Sequence, residues 1–163
     1  MFAALAWATL ALGAPEMIPQ DSTTILGTTA ADFEAPLLGG GTFSLAEHRG
    51  TPVVLAFWAS WCGPCRLELP ALDVFQQQYP DVKIIGVNVD RERPAAERFL
   101  RQVKVEMPVA WDNEAMALGQ YDVASMPTTV LVDGNGTVKL VKVGYSKEKG
   151  LVELENAVGE LGR

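Results

Sequence analysis

Cysteine is scarce in this chain: two residues in 163, Cys62 and Cys65, with two positions between them. That excludes a framework of structural disulfides of the kind that staples small secreted domains. Histidine is scarcer still. The single His48 excludes a histidine-rich metal site, and no second Cys or His pair completes a zinc tetrahedron around Cys62 and Cys65. Basic residues are outnumbered, 13 Lys and Arg against 20 Asp and Glu, for a formal net charge of -7. A nucleic-acid binder needs a basic face, so nucleic acid is excluded as a partner. The apolar N-terminal stretch Phe2 to Gly13 falls short of the roughly 20 residues that span a bilayer. Thr9 is its one polar side chain, and no Lys or Arg precedes Arg49.

What is present describes one ordinary globular domain, 48% hydrophobic and 20% charged, able to bury a sizeable core. The apolar leader fits the h-region of a signal peptide, with Ala11-Leu12-Gly13 as a small-x-small cleavage pattern. Its missing basic flank leaves an uncleaved anchor as a second reading and a buried N-terminal helix as the plainest one. The expected organisation is a signal peptide or N-terminal anchor over residues 1–18, a polar linker over 19–30, and a folded domain over 31–163. Export would place the two thiols in an oxidising compartment, where a dithiol has to be maintained against its surroundings.

The two cysteines sit where a strand feeds a helix. Pro52 to Trp58 is an apolar run that reads as a buried strand, and the residues from about Cys62 to Tyr79 read as a helix with Pro70 inside it. Exposed N–H groups and the helix dipole at such a place favour a thiolate over a thiol. Before the strand, Phe33 to Leu38 and Thr42-Phe43 flank three glycines and predict a short hairpin. His48 reads as an exposed loop residue. After the cysteine helix, Val82 to Asp90 predicts a second buried parallel strand, Pro94 to Val103 a helix, Met107 to Trp111 an extended piece, and Asn113 to Tyr121 a helix capped by Asn113. Thr128 to Val132 and Thr137 to Val143 flank the turn Asp133-Gly134-Asn135-Gly136, and Lys147 to Leu161 forms an amphipathic terminal helix. The sum is a mixed α/β sandwich with helices on both faces of the sheet.

With Phe57-Trp58-Ala59-Ser60-Trp61-Cys62-Gly63-Pro64-Cys65-Arg66, Glu68, Pro70, Met126-Pro127-Thr128 and Gly144, the chain resembles the thioredoxin superfamily. More closely, it resembles the exported TlpA/ResA-like thiol–disulfide oxidoreductases. The resemblance covers about Ala31 to Leu161. It implies a thioredoxin-like α/β fold with a mixed central sheet, an N-terminal β-hairpin and a helix-strand insert from about Arg91 to Asn113. Thioredoxins carry a buried Asp six residues before the first cysteine; here that position is Ala56. The TlpA/ResA type also lacks the Asp and often carries a Glu three residues after the second cysteine, here Glu68. Two readings of Glu68 stand side by side: proton acceptor for Cys65, its i,i+3 neighbour, or a solvated surface Glu beside Arg66.

The residues then predict a mechanism. Cys62 is the nucleophile and Cys65 the resolving thiol, with the reversible Cys62–Cys65 disulfide as the only redox group and no cofactor or metal. Gly63 and Pro64 shape the turn between them, and Gly-Pro is also the dipeptide of reducing thioredoxins, which points to a reductant. The resemblance places a cis-proline opposite the cysteines, at Pro127, so that the Met126 backbone can pair with an extended substrate. Trp61 is expected on the contact surface and Trp58 in the core. The partners implied are a disulfide-bearing protein substrate and a membrane-borne electron donor, with the chain itself a monomer in the periplasm or another extracytoplasmic space, held there by its N-terminus if that is not cleaved. The resemblance further implies a task in cytochrome c maturation. Two alternatives are weighed against it. A peroxiredoxin-like peroxide reductase shares the N-terminal hairpin, but the P-x-x-x-[ST]-x-x-C pattern is absent before Cys62. A copper-binding metallochaperone would use the two thiolates with His48 or Met126.

Overall fold

The computed structural model describes residues 22–162. The leader or anchor expected over residues 1–18 lies outside them. A single 3-10 turn at Ser22–Ile25 leads into a strap that docks on the sheet: Gly27 N–H donates to the Val138 carbonyl, and Ala30 N–H to that of Gly136. The hairpin follows, with β1 at Glu34–Pro36 paired antiparallel to β2 at Thr42–Ser44. Then come β3 (Val53–Trp58), α1 (Cys65–Gln78), β4 (Lys83–Asn88), α2 (Arg93–Val103) and β5 (Val109–Trp111). The chain ends with α3 (Met116–Gln120), β6 (Thr128–Val132), β7 (Val138–Val143) and α4 (Val152–Leu161).

β3 is apolar on both sides, and all six of its residues are buried. A strand of that kind needs cover on both faces, which is the place of a central strand. β3 is indeed the middle of a five-stranded sheet in the order β5-β4-β3-β6-β7. The β5, β4 and β3 strands run parallel, whereas β6 and β7 are antiparallel to their neighbours. Val54, Ala56 and Trp58 face a core built with Leu69, Leu72 and Phe75 of α1, Phe99 of α2 and Leu154 of α4. Val53, Leu55 and Phe57 face a second core closed by the hairpin and by Tyr121. Each large apolar side chain buried this way stabilises the fold by about 1.5–3 kcal/mol.

Some element ends differ from the sequence expectation. Helix α1 starts at Cys65, not Cys62, because Cys62 N–H bonds back to the Ala59 carbonyl and the Cys62-Gly63-Pro64 segment is a turn. It then runs unbroken through Pro70. Helix α3 starts at Met116 with Ala115, not Asn113, at its N-cap position, and the carboxylate of Asp112 satisfies its first N–H groups, accepting from Met116 (3.0 Å) and Ala117 (2.9 Å). The terminal helix starts at Val152, since Gly150 takes a left-handed conformation (φ 55°) that stops any earlier helical run.

Candidate active site

Strand β3 ends at Trp58, and four residues later Cys62 lies in the turn that opens α1. Cys62 and Cys65 are joined as a disulfide, S–S 2.08 Å and Cα–Cα 5.4 Å. Cys62 keeps 5% of its surface exposed and Cys65 none, so Cys62 is the cysteine nearer the solvent. Gly63 and Pro64 between them are exposed, and Trp61 beside them is 71% exposed, whereas Trp58 is wholly buried and packs on Phe99.

Glu68 is the unusual residue. It stands one turn after Cys65 on the buried side of α1 and is 1% exposed, so the solvated-surface reading of this glutamate is overturned. Arg66 points elsewhere, lying over the Phe99 ring and donating to Gln102. One carboxylate oxygen of Glu68 accepts from the Thr129 hydroxyl at 2.9 Å; the other, Oε2, is buried with no hydrogen-bond partner among the described residues. Burial pushes the Glu68 carboxyl up from 4.5 to about 7, against the Thr129 hydrogen bond and the charge of Lys142, which both pull it down.

The reason this carboxyl lies where it does is a row of residues across the sheet. Strand register aligns Val109, Gly86, Ala56, Thr129 and Lys142, one from each of β5, β4, β3, β6 and β7. Ala56 pairs directly with Thr129, and Thr129 holds Glu68. The acid therefore reaches this row from the helix above, over a strand position left small. Gly86 in the same row sits in a tight place: a Cβ there would stand 3.0 Å from the Trp58 indole nitrogen and 3.2 Å from Val109, so one of them would have to give way.

Pro127 is buried at the start of β6, preceded by a cis Met126–Pro127 bond, and its carbonyl accepts from Gly144 N–H at 2.8 Å. Met126 is half-buried and packs against the core that contains both cysteines. A groove of about 910 Å³ runs between Trp61 and Met126, with Ser60, Asp90, Leu118 and Val123 among its walls. Cys62, Cys65, Glu68, Trp61, Gly63, Pro64, Met126 and Pro127 thus fall in one region. His48 does not: its ring packs on Phe43, in the core on the opposite face of the sheet. Among the described residues, no three His, Cys, Asp or Glu side chains converge as a metal-binding group, and no helix is long and apolar enough to cross a membrane.

Three participants were not read from the sequence. Thr129 and Lys142 look like ordinary strand residues until the register is known. Asp90, two residues beyond β4, accepts from both the Ser60 N–H (2.9 Å) and the Ser60 hydroxyl (2.8 Å), tying down the loop that leads to Cys62. An acid just beyond a buried apolar strand is the one signal that could have drawn notice to Asp90.

Comparison with known proteins agrees with this geometry. Residues 26–141 match the AhpC/TSA family. The thiol–disulfide oxidoreductase ResA of Geobacillus kaustophilus is 34% identical over 127 residues, covering 77% of this chain and 73% of that protein. A crystal structure of a putative thiol:disulfide interchange protein DsbE from Chlorobium tepidum superposes with a TM-score of 0.78 at 36% identity, over 83% of this chain and 96% of that one. A secreted disulfide oxidoreductase of Mycobacterium tuberculosis, described as homologous to DsbE of E. coli, superposes with a TM-score of 0.68 at 26% identity, over 79% and 96%. The fold is thioredoxin-like, as the sequence implied, and the cysteine pair is at bonding distance, as disulfide exchange requires. On these grounds the chain belongs to the AhpC/TSA family, and within it to the ResA-like thiol–disulfide oxidoreductases.

Proposed function

We propose that this chain is an exported dithiol reductant of protein disulfides, with Glu68 as its proton acceptor. The observation that carries the reading is the Glu68 carboxyl, buried one helical turn past Cys65 with one oxygen unpartnered among the described residues. In the reduced protein the Cys62 thiolate, favoured by the N-terminus of α1, attacks one sulfur of a substrate disulfide. That bond breaks, the second substrate sulfur leaves as a thiolate, and a mixed disulfide forms on Cys62. The Cys65 thiol passes its proton to Glu68, and the Cys65 thiolate then attacks the Cys62 sulfur. The Cys62–Cys65 disulfide forms and the substrate leaves fully reduced. The substrate gains two electrons, the dithiol loses two, and a membrane-borne donor restores the dithiol.

Trp61, Gly63, Pro64 and the backbone of Met126 beside Pro127 form the ledge on which an extended substrate segment lies. Among the described residues, no backbone partner reaches the Met126 N–H or C=O, which leaves both for a guest strand. Export is supported by the apolar leader and by the secreted relative from Mycobacterium tuberculosis. The ResA-like relationship favours the haem-attachment cysteines of an apocytochrome c as the disulfide reduced. The direct test of direction is the equilibrium potential of Cys62–Cys65 against glutathione. A value near about -270 mV fits a reductant, and one near about -120 mV refutes it. A Glu68→Gln protein whose disulfide exchange keeps the parent pH profile refutes the role of Glu68. A reporter fused to the C-terminus of the full chain tests export.

A further inference from the structure

We infer that Lys142 is an electrostatic positioning residue of the thiol chemistry: its ammonium, held on β7 beside Thr129, steadies the ionised carboxylate of Glu68 and so governs when that carboxylate takes the Cys65 proton. This rests on the reading of Glu68 given above. The geometry comes from the sheet. Thr129 and Lys142 are directly paired across β6 and β7, and paired residues send their side chains to the same face, with Cβ atoms about 4.5–5.5 Å apart. Thr129 holds Glu68 on that face, so Lys142 stands on it too, one strand further out.

Lys142 is only 7% exposed. A lysine rarely gives up water unless something compensates. Its ammonium donates to the Gly144 carbonyl at 2.9 Å and lies 5.3 Å from the Tyr145 ring centroid. Those contacts hold the cation at the end of β7, where the same Gly144 donates its N–H to the Pro127 carbonyl. The titratable and polar groups around Glu68 are then Cys65 one turn before it on α1, Thr129 on β6, Lys142 on β7, and Tyr145 just after β7. The Tyr145 hydroxyl is itself pushed up by burial and by the charge of Glu68. Lys142 is the one cation in the set and pulls the carboxyl down toward ionisation.

The plain alternative is that Lys142 only fastens Gly144. The two roles separate in a titration of Glu68 that does not depend on activity. The probe is the infrared band of the protonated Glu68 carboxyl in the oxidised protein, assigned by its loss in Glu68→Gln. In Lys142→Met the midpoint should rise by about one pH unit, as for loss of a neighbouring opposite charge. Lys142→Gln, which keeps an N–H for the Gly144 carbonyl, should show the same rise and serves if the Met variant fails to fold. Lys142→Arg, which keeps the charge, should stay near the parent midpoint. An unmoved midpoint in folded Lys142→Met or Lys142→Gln overturns the inference. The pH profile of exchange with oxidised glutathione should shift likewise in Lys142→Met, but not when Glu68→Gln is already present. If Glu68→Gln alters that profile while Lys142 variants leave the band unmoved, only the lysine inference fails. If the band moves but Glu68→Gln leaves the profile unchanged, the proton-acceptor reading fails and takes with it the role of Lys142 in the thiol chemistry, leaving only its hold on the carboxylate.

Discussion

Stability against pH is the sharpest consequence of the buried Glu68. Its carboxyl ionises at 4.5 in the unfolded chain and at about 7 in the folded one. Between those values the folded state holds a proton that the unfolded state has released, so stability falls as pH rises. The contribution is fully present below about pH 4.5 and is lost by about pH 7, above which both states are ionised. At about 1.4 kcal/mol per pH unit, the loss is roughly 3 kcal/mol. Glutamine has nearly the same shape as the protonated carboxyl but no charge to bury, so Glu68→Gln should lack this pH dependence. Urea unfolding of the two oxidised proteins near pH 4.5 and near pH 8 measures the difference. With a slope of about 2 kcal/mol per M for a chain of this size, raising the pH should lower the midpoint of the parent by about 1.5 M more than that of Glu68→Gln. Midpoints that move in parallel would refute the buried, proton-holding glutamate.

Other outcomes follow from the same geometry. Thr129→Val removes a hydrogen bond to the ionised carboxylate and should raise the Glu68 midpoint by roughly 0.7 pH unit, equivalent to about 1 kcal/mol, read from the same infrared band. Cys65→Ser should accumulate a mixed disulfide between Cys62 and an oxidised substrate, visible by intact mass, while Cys62→Ser should accumulate none. Gly86→Ala pushes a methyl against the Trp58 indole and should cost about 1–3 kcal/mol in urea unfolding, with no change in the pH dependence of exchange.

Much of the molecule was legible before any coordinates. The unbroken apolar run of β3, the turn chemistry of Asp133-Gly134-Asn135-Gly136 and the strand-to-helix placement of Cys62 and Cys65 are set by residues near one another in the chain. Asp133 shows why such places are readable: its side chain accepts from the N–H groups of Asn135 and Thr137, so the turn is complete within five residues. Sequence reasoning was weaker at helix ends, where the N-cap moved from Asn113 to Ala115 with Asp112 supplying the side-chain hydrogen bonds, and a left-handed Gly150 shortened the terminal helix. Those ends are decided by a single side-chain bond or backbone angle.

The sequence by itself determined the chemistry available: one pair of thiols at a helix N-terminus, a glutamate one turn beyond, and no acid at Ala56. Only the tertiary structure decided that Glu68 is buried, because its spacing from Cys65 suits a wet helix face as well as a dry one. Pairing Thr129 with Ala56 on one side and Lys142 on the other requires strand order and register, which depend on contacts between residues far apart in the chain. Even the alternation of β7 misleads. An irregularity between Leu131 and Val132 in the β6 pairing lets Val138 join one core while Leu140 packs against the other and Lys142 takes the face of Glu68. A period of two cannot show such a change of face, since the extra residue that causes it is visible only in the pairing of the two strands.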